Sequence, residues 1–344
     1  MTTIYDIAKV AGVTATTVSN VLSGKGSVSA ATRERVLQAV KELEYAPNLV
    51  ARSLIKGRTG IIGFTVPGMD NPFYAETASA VERLAYKAGL RVLITTIPWK
   101  DQMGTQLLKD LILRRVDGLL VTSNDHLLRT IHSVPRQHVP LVFCLHEQRE
   151  DGQADDKTKC EYTVSFDFFQ AGQLAAEHLL SLGHRRVGLI PQINVDGKPE
   201  VYQARSVGFL RTMQAHGYPV DPALIVASDP TLEGGRRAGA SLLSHPEPPS
   251  AIFSTNDIMA LGVMRAAWER GLHIPNDLSV IGLDDISMAA YTSPPLTTIR
   301  IDKVALMAKA MEILLLVIEG KAVPSVPLFP ATLIIRHSTA PYTG

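Results

Sequence analysis

The first 22 residues carry two short segments of helical apolar spacing that meet at a glycine, and this pattern constrains the N-terminal fold most strongly. Two such segments joined by a tight turn at Gly12 predict a pair of packed helices. The residues expected at their contact are Ile7, Ala8, Ala11, Val13, Val18, Val21 and Leu22. The residues left facing outward on the second helix are small or hydroxyl-bearing: Ala15, Thr16, Thr17, Ser19 and Asn20. That face suits close approach to DNA, with hydroxyls donating to phosphates, although an ordinary helical hairpin with a solvated face shows the same pattern.

Positive charge is concentrated in the same region. The 344 residues have a net charge of only +1, which alone argues against nucleic-acid binding. Residues 1–60, however, hold eight basic and four acidic side chains, so this segment carries +4 and the remaining 284 residues carry −3. A small basic module on a mildly acidic body fits local contact with phosphates and little nonspecific adhesion elsewhere.

A third helix is predicted from residue 30 or 31 to about residue 44, with Ser29 as its N-cap. Its expected buried stripe consists of Val36, Leu37, Val40 and Leu43. Pro47 ends the helix, because it forces the preceding residue into extended geometry.

Residues 49–55 form a shorter helical segment, which Asn48 can cap and Gly57 ends. A helix of this length is not stable alone in water, so its order is expected to depend on a partner. Leu54 is apolar where a plain tether would be polar. Docking of this segment on the next domain is the structural alternative.

From Thr59 onward, apolar runs typical of buried strands alternate with amphipathic stretches typical of helices. The apolar runs lie at 61–66, 92–97, 118–122 and 140–145 and, after the polar stretch 147–160, at 162–166, 187–190, 223–227, 250–253 and 278–283. The helical stretches lie near 73–88, 102–115, 125–133, 169–182, 200–216, 234–244 and 257–270. This alternation predicts two α/β lobes with parallel sheets and a ligand site in the cleft between them.

The predicted organisation is therefore an all-α helix-turn-helix headpiece (1–46), a hinge helix and linker (47–58), and a two-lobed α/β domain (59–344). The lobes are expected at roughly 59–161 and 162–292, with crossovers near 293–330. No heptad-like tail follows the last apolar run, which favours a dimer over a tetramer.

Several motifs stand in a fixed order along almost the whole chain. In the headpiece they are Thr3-Ile4-Tyr5-Asp6-Ile7-Ala8, Thr17-Val18-Ser19-Asn20-Val21-Leu22, Tyr45-Ala46-Pro47-Asn48 and Ala51-Arg52-Ser53-Leu54. Further on they are Asn71-Pro72-Phe73-Tyr74, Gly183-His184, Arg205-Ser206-Val207-Gly208-Phe209, Thr255-Asn256-Asp257 and Pro294-Pro295-Leu296-Thr297-Thr298-Ile299. This set resembles the LacI/GalR family of bacterial transcription regulators. The resemblance implies a periplasmic-binding-protein-like domain behind the headpiece, and a homodimeric repressor that binds a pseudo-palindromic double-stranded DNA operator.

The resemblance also implies roles for individual headpiece residues. Contacts to base edges in the major groove fall to Ala15, Thr16 and Asn20, and phosphate contacts to Tyr5, Thr17, Ser19 and Thr32. Asn20 can pair with an adenine through two hydrogen bonds, whereas Ala15 offers only a methyl contact. Leu54 matches a hinge leucine that wedges into the minor groove, with Asn48 and Ala51 as further DNA-binding residues of the hinge.

For the ligand cleft, the resemblance indicates Asn71, Phe73 and Asn124 from the first lobe and Arg205, Asn256 and Asp284 from the second. This set can bind several hydroxyls, which favours a sugar or sugar acid as effector over a purine or other metabolite. Each residue has a structural alternative: Asp284 can cap a turn, Arg205 can be solvated, and Asn256 can be the N-cap of the helix that follows it.

Other classes of protein are poorly supported. Gly234-Gly235-Arg236-Arg237-Ala238-Gly239 lacks the spacing of a nucleotide-binding loop, and no Walker, H-E-x-x-H or G-x-S-x-G motif occurs. A sugar-binding enzyme is thus the disfavoured alternative, with no catalytic residues assigned.

Cys144 and Cys160 have no metal-ligand spacing, so no metal or cofactor is expected. Without an export signal or a transmembrane-length apolar run, we expect a cytoplasmic, nucleoid-associated protein with no membrane contact.

Overall fold

The structure is a computed structural model that describes residues 2–23, 26–45, 57–97, 104–113, 116–122, 139–145, 162–193 and 203–343. The chain divides into two units, Met1–Thr59 and Gly60–Gly344, each with its own apolar core. The predicted hinge helix at 49–55 and the predicted helix at 125–133 lie outside the described residues.

The first unit contains three helices in its described residues, α1 (Ile4–Ala11), α2 (Ala15–Ser23) and α3 (Ala30–Glu42). A hydroxyl side chain caps α3, because Ser29 Oγ accepts a hydrogen bond from the backbone N–H of Thr32 at 3.3 Å. The core centres on three fully buried residues, Ile7, Val18 and Val36. The predicted helix-turn-helix is thereby confirmed.

One predicted core position in α3 was wrong. Leu37 is 50% exposed, whereas Ala39 is only 2% exposed and packs in the core. Consecutive helical residues point about 100° apart, so Val36 and Leu37 cannot both face the same narrow core. The next residue on the same face of the helix is Ala39, three positions after Val36.

The second unit begins with a five-stranded parallel sheet. Its strands are β1 (Ile61–Val66), β2 (Arg91–Thr96), β3 (Gly118–Thr122), β4 (Leu141–Cys144) and β5 (Thr163–Val164), in the order β2-β1-β3-β4-β5. Helix α4 (Pro72–Lys87) connects β1 to β2, and α5 (Gly104–Leu113) lies between β2 and β3. The strands β3 and β4 are buried throughout, as expected of parallel strands covered on both faces.

The second lobe repeats this plan. Its strands are β6 (Val187–Ile190), β7 (Ala251–Ser254), β8 (Ser279–Asp284), β9 (Thr297–Arg300) and β10 (Thr332–Ile334), in the order β10-β9-β8-β7-β6. Its helices are α6 (Phe168–Ser181), α7 (Ala204–Ala215), α8 (Leu232–Leu243) and α9 (Asp257–Glu269). Strands β6 to β9 are parallel and β10 is antiparallel to β9. The two-lobed α/β prediction is confirmed.

The boundary predicted at residue 162 does not match the sheet pairing. Strand β5 at Thr163–Val164 pairs with β4 and is the edge of the first sheet, so the chain enters the second lobe only after it. The region 293–330 is also more than crossovers, since it contains β9 and the helix α10 (Lys303–Ile318). Although α10 follows β9, it packs on α4 and on β3, β4 and β5 of the first lobe.

The strand predicted at 223–227 is instead a short 3₁₀ turn, Pro222–Leu224. Asp221 caps this turn by accepting a hydrogen bond from the N–H of Ala223 at 2.9 Å, and Pro222 has no N–H to give to a ladder. In place of a strand, two isolated parallel bridges join this region to the end of β6 and the residues after it, Leu189 to Ile225 and Gln192 to Ser228.

Two buried histidines fasten the C-terminal segment to the second lobe. His184 Nε2 lies 3.1 Å from the carbonyl oxygen of Ala340, which can only accept, so Nε2 carries the proton. His184 Nδ1 lies 2.9 Å from Ser250 Oγ, and His178 Nε2 lies 2.9 Å from Thr339 Oγ1. Burial lowers the pKa of both imidazoles, so the folded state favours their neutral forms.

This arrangement predicts a loss of stability in mild acid. Because the pKa of His184 is lowered in the folded state, the unfolded chain binds more protons once the pH falls below about 6.5. The free energy of unfolding is expected to fall from that pH downward. His184→Gln is expected to cost about 1–3 kcal/mol at neutral pH and to flatten this slope. Urea unfolding measured across this pH range checks both effects, and equal slopes in the two proteins would contradict the assignment.

Candidate functional site

The turn between α1 and α2 is fixed by local hydrogen bonds. Gly12 adopts a φ of +64° and its N–H bonds the carbonyl oxygen of Ala8, the left-handed C-cap that glycine adopts without strain. Thr14 then begins α2, because its Oγ1 accepts from the N–H of Thr17 at 3.2 Å and lies 2.9 Å from the Thr17 hydroxyl. This capping role of Thr14 was not predicted from the sequence.

The residues predicted to contact DNA gather on and beside α2. Thr16 and Ser19 are exposed, and Ala15, Thr17 and Asn20 are half-buried. Helix α2 contains no charged residue, so nothing on it repels a phosphate. Two further predicted contacts lie on the neighbouring helices: Tyr5 on α1 is 73% exposed, and Thr32 on α3 accepts from the Ser29 hydroxyl at 2.9 Å. The hinge residues Asn48, Ala51 and Leu54 lie outside the described residues.

In the first lobe, Asn71 and Phe73 stand at the start of α4. Asn71 is the N-cap, since its Oδ1 accepts from the N–H of Phe73 at 3.0 Å. Phe73 is 5% exposed, and the Lys303 ammonium lies 5.4 Å from its ring centroid. Asn124, the third residue predicted for this lobe, lies outside the described residues.

In the second lobe, Arg205 is held at the start of α7. Its Nη1 donates to the carbonyl oxygen of Thr255 at 2.8 Å, and its guanidinium carbon lies 4.6 Å from the ring centroid of Phe168. Helices α6 and α7 approach closely at two glycines: a Cβ on Gly172 would overlap the Arg205 carbonyl oxygen, and one on Gly208 would overlap that of Phe169. The absence of side chains at these positions therefore sets the position of Arg205.

Asn256 is a structural cap, as its alternative interpretation proposed. Its Oδ1 accepts from the N–H of Met259 at 2.9 Å at the start of α9, and the residue is only 4% exposed. The preceding residue, Thr255, donates its hydroxyl to the carbonyl oxygen of Ile190 at 3.2 Å. The N-terminus of α9 is thereby fixed against the second sheet beside Arg205.

Asp284 ends β8 in an unusual state. Its φ is +123°, that of the next residue, Asp285, is +48°, and such values are strained for side-chain-bearing residues. Asp284 is 5% exposed, and no group among the described residues donates a hydrogen bond to its carboxylate. Burial and the neighbouring Asp257 raise its pKa well above the usual range, against the attraction of Arg205 and Lys303.

Two carboxylates beneath Asp284 hold the segment that follows it. Asp257, fully buried, accepts from the hydroxyl of Thr298 at 2.5 Å and from the N–H of Ile286 at 3.0 Å. Its burial raises its pKa to about 6. Burial opposes ionisation of Asp285 too, but hydrogen bonds from Arg336 and Arg300, each at 2.6 Å, leave the pKa of that carboxyl lowered.

Five of the six predicted ligand residues are described: Asn71 and Phe73 stand at the start of α4, Arg205, Asn256 and Asp284 lie in the second lobe, and Lys303 contacts both Phe73 and Asp284. Sequence reasoning missed four neighbours that complete the site, namely Glu76, Phe168, Asp257 and Lys303. Each is an ordinary helix residue in the sequence, and its role depends on contacts with residues far along the chain. Asp257 had, in addition, a local signal, because it follows the cap Asn256 in the motif Thr255-Asn256-Asp257.

The described residues contain neither a membrane-spanning helix nor a metal-binding cluster. No helix there is long and apolar enough to cross a membrane. In the same part of the chain, no cluster of three or more histidine, cysteine or acidic side chains could hold a metal ion.

A helix-turn-helix headpiece followed by two α/β lobes defines the class of DNA-binding regulators that carry a ligand-binding domain. Residues 3–48 match the family model of bacterial regulatory proteins of the lacI family, and residues 176–339 match a periplasmic binding protein-like domain. The chain belongs to the LacI family.

Known proteins resemble this chain over nearly their full lengths. The HTH-type transcriptional regulator DegA of Bacillus subtilis is 33% identical over 99% of this chain and 98% of its own. The HTH-type transcriptional repressor PurR of Haemophilus influenzae is 34% identical over 92% of this chain and 90% of its own. A crystal structure of the Lac repressor dimer, bound to operator and the anti-inducer ONPF, superposes with a TM-score of 0.83 at 28% identity, covering 98% of this chain and 99% of that one. The curated relatives are transcriptional regulators and not enzymes.

Proposed function

We propose that this protein is a homodimeric repressor in which residues 1–46 bind a pseudo-palindromic operator, residues 47–58 form the hinge, and a sugar bound between the lobes controls operator affinity. Membership of the LacI family supports the DNA-binding and ligand-binding parts of this proposal. The observation that carries the choice of ligand is the Asp284 carboxylate. It is buried beside Arg205 and receives no hydrogen bond from the described residues, so it suits the hydroxyl donors of a ligand.

The pairing of the cations near the site favours a neutral ligand. The acidic groups there are Glu76, Asp257, Asp284 and Asp285, of which Asp257 and Asp284 have raised pKa values, and the cations are Arg205, Arg300, Lys303 and Arg336. A phosphate or a sugar acid would need surplus positive charge, and Lys303, Arg300 and Arg336 already pair with carboxylates. Among the described residues the site therefore suits a neutral polyhydroxylated molecule better than an anion.

The aromatic side chains of the cleft favour a sugar over a purine. A purine binds best where an aromatic face is open for stacking. Here the Phe168 ring is covered by Arg205, at 4.6 Å, and Lys303 lies 5.4 Å from the Phe73 ring centroid. Both rings are then apolar walls for a small ligand that is bound through its hydroxyls.

The ligand class is tested by thermal-shift and calorimetric screening of the full chain against neutral pentoses, hexoses and disaccharides, with sugar acids and purines as comparators. Saturable binding of a neutral sugar that raises the unfolding temperature is the expected result. Binding of a purine or a sugar acid in preference would refute the ligand class and leave the operator-binding part untouched.

For DNA recognition, we propose that Asn20 on α2 contacts an adenine edge. Asn20→Ala is expected to weaken binding to an operator obtained by in vitro selection by about 5- to 150-fold, because two hydrogen bonds to one base are lost. Fluorescence anisotropy at fixed salt measures the change. Gln38→Ala, at an exposed position of α3, is the matched control and should bind as the unmodified protein does. Equal affinities for all three proteins would remove Asn20 from the interface.

Dimerisation is supported by two observations. The solved Lac repressor that superposes on this chain is a dimer bound to operator. The second lobe here exposes bulky apolar residues, with Tyr291 89% and Met288 47% exposed, as expected of a surface that a second copy covers. Sedimentation velocity at micromolar concentration should give a dimer, and a monomer at that concentration would contradict the proposal.

A further inference from the structure

We propose that Glu76 and Lys303 form a latch between the two lobes that fixes the interlobe angle and holds Asp284 in its strained conformation. Both are positioning residues, because they act on Asp284 and on the lobes and need no contact with the ligand. The link from the latch to effector control rests on the function proposed above, but the latch itself is tested without ligand or DNA.

Both side chains project from the first lobe to the second. Glu76 lies on α4, and Lys303 is the first residue of α10, which packs on α4 and the first sheet immediately after the chain crosses over from β9. The Lys303 ammonium donates to the carbonyl oxygens of Asp284 and Asp285, both at 2.9 Å. It also pairs with Glu76 Oε2 at 3.2 Å.

Glu76 completes the latch with its second oxygen. Its Oε1 accepts a hydrogen bond from the backbone N–H of Ser287 at 2.8 Å. One carboxylate and one ammonium of the first lobe therefore bind three backbone groups of the four-residue segment 284–287 of the second lobe. This differs from a surface ion pair, because the side chains of Lys303 and Glu76 are only 12% and 28% exposed.

The segment 284–287 is also held from within the second lobe. Asp257 accepts from the N–H of Ile286, and Arg300 and Arg336 bind the Asp285 carboxylate. Asp284 and Asp285 have positive φ, which is a strained backbone conformation for these residues. It persists only because contacts with surrounding residues hold the backbone in place. The latch is the part of those surroundings that the other lobe supplies.

Separation of the lobes would leave three backbone groups of the segment 284–287 without these partners, while Glu76 and Lys303, both on the first lobe, would still pair with each other. Leaving such partly buried groups unpaired is costly, so the lobes are expected to have discrete arrangements, with the latch closed or open. Because Asp284 also belongs to the proposed ligand site, a ligand that binds its carboxylate acts on the same segment that the latch holds. Ligand occupancy and interlobe angle are thereby linked.

The experiment measures an interlobe distance by pulsed electron paramagnetic resonance on the full chain. Nitroxides are attached at Lys87→Cys on α4 and Gln214→Cys on α7, both at exposed positions. Cys160 is replaced by serine, and Cys144 stays, because it is fully buried and its thiol pKa is raised to about 12. Labelled protein is diluted with unlabelled chain so that each dimer carries one labelled copy.

Five variants are compared with the unmodified latch. Lys303→Met and Glu76→Gln are each expected to shift the interlobe distance distribution or to split it into two populations. The double variant should shift the distribution no more than the single variant with the larger effect, because both substitutions break the same latch. Lys303→Arg retains a donor for carbonyls and a carboxylate and should restore the original distribution. Lys309→Met removes a lysine that pairs with Glu312 on the same helix, so it should change nothing.

The proposal fails if Lys303→Met and Glu76→Gln, each with a cooperative unfolding transition, give the distribution of the unmodified protein. It also fails if Lys309→Met shifts the distribution as far as Lys303→Met does. If Lys303→Met does not fold, the interlobe distance distribution of Glu76→Gln alone tests the proposal. This variant keeps an acceptor for the N–H of Ser287 and removes only the negative charge. None of these outcomes bears on the ligand screen or on operator binding.

Discussion

Gly172→Ala is expected to lower the free energy of unfolding by about 2–3 kcal/mol and to impair ligand binding without touching the ligand. A Cβ at this position would overlap the backbone carbonyl of Arg205 and lie 2.8 Å from the N–H nitrogen of Phe209, so α6 and α7 must separate. The gain of about 1 kcal/mol from replacing glycine by alanine in a helix is too small to offset such an overlap with backbone. Urea unfolding and calorimetry with a sugar identified in the screen measure the two effects.

The matched control for this prediction is Gly68→Ala. The Cβ added there meets only the flexible side chain of Asp70, which can move away, and the stability is expected to change by less than about 0.5 kcal/mol. If Gly172→Ala were as stable as Gly68→Ala and bound the sugar normally, the close contact of α6 and α7 would not be what positions Arg205.

Arg205→Ala is expected to reduce sugar affinity by about 30- to 150-fold, equivalent to about 2–3 kcal/mol for a lost charged hydrogen-bonding group. The guanidinium donates to Thr255, covers Phe168 and is the cation that most strongly lowers the pKa of the buried Asp284. Without it, the pKa of Asp284 rises further, and the carboxyl becomes a poorer acceptor for ligand hydroxyls.

The control for Arg205→Ala is the substitution of another arginine of α7, on a different face of the helix. Arg211→Ala, on the same helix, removes an exposed arginine whose guanidinium lies 5.9 Å from the Phe169 ring centroid, and sugar affinity should be unchanged. Isothermal titration of the three proteins provides the comparison. Normal binding by Arg205→Ala would place the ligand elsewhere in the protein.

The features that sequence predicted well are local ones. Ser29 was predicted as a helix cap, and the same role was the structural alternative for Asn256; both accept the backbone hydrogen bond that this role requires within three residues. The helix-turn-helix was likewise predictable, because Gly12 and the spacing of the apolar residues around it specify the turn and the contact. Family motifs then supplied the ligand residues, which remain predictions.

The features that sequence did not reveal depend on distant contacts. The hydrogen bond between Glu76 and Ser287 joins residues 211 positions apart, and no local pattern indicates it. The short strand β5 carries the same apolar character as the strands of the second lobe, so only its pairing with β4 assigns it to the first sheet. The exposure of Leu37 is different, because it follows from local helix geometry: Val36 takes the core position and its neighbour points about 100° away.

The central claim is that a ligand bound between the lobes controls binding to DNA. The most direct test is the affinity for a selected operator, measured by fluorescence anisotropy at fixed salt, with and without a saturating sugar from the screen. The account predicts a change of about 5- to 150-fold in the unmodified protein and no change in Arg205→Ala. An operator affinity that the bound sugar leaves unchanged in the unmodified protein would contradict it.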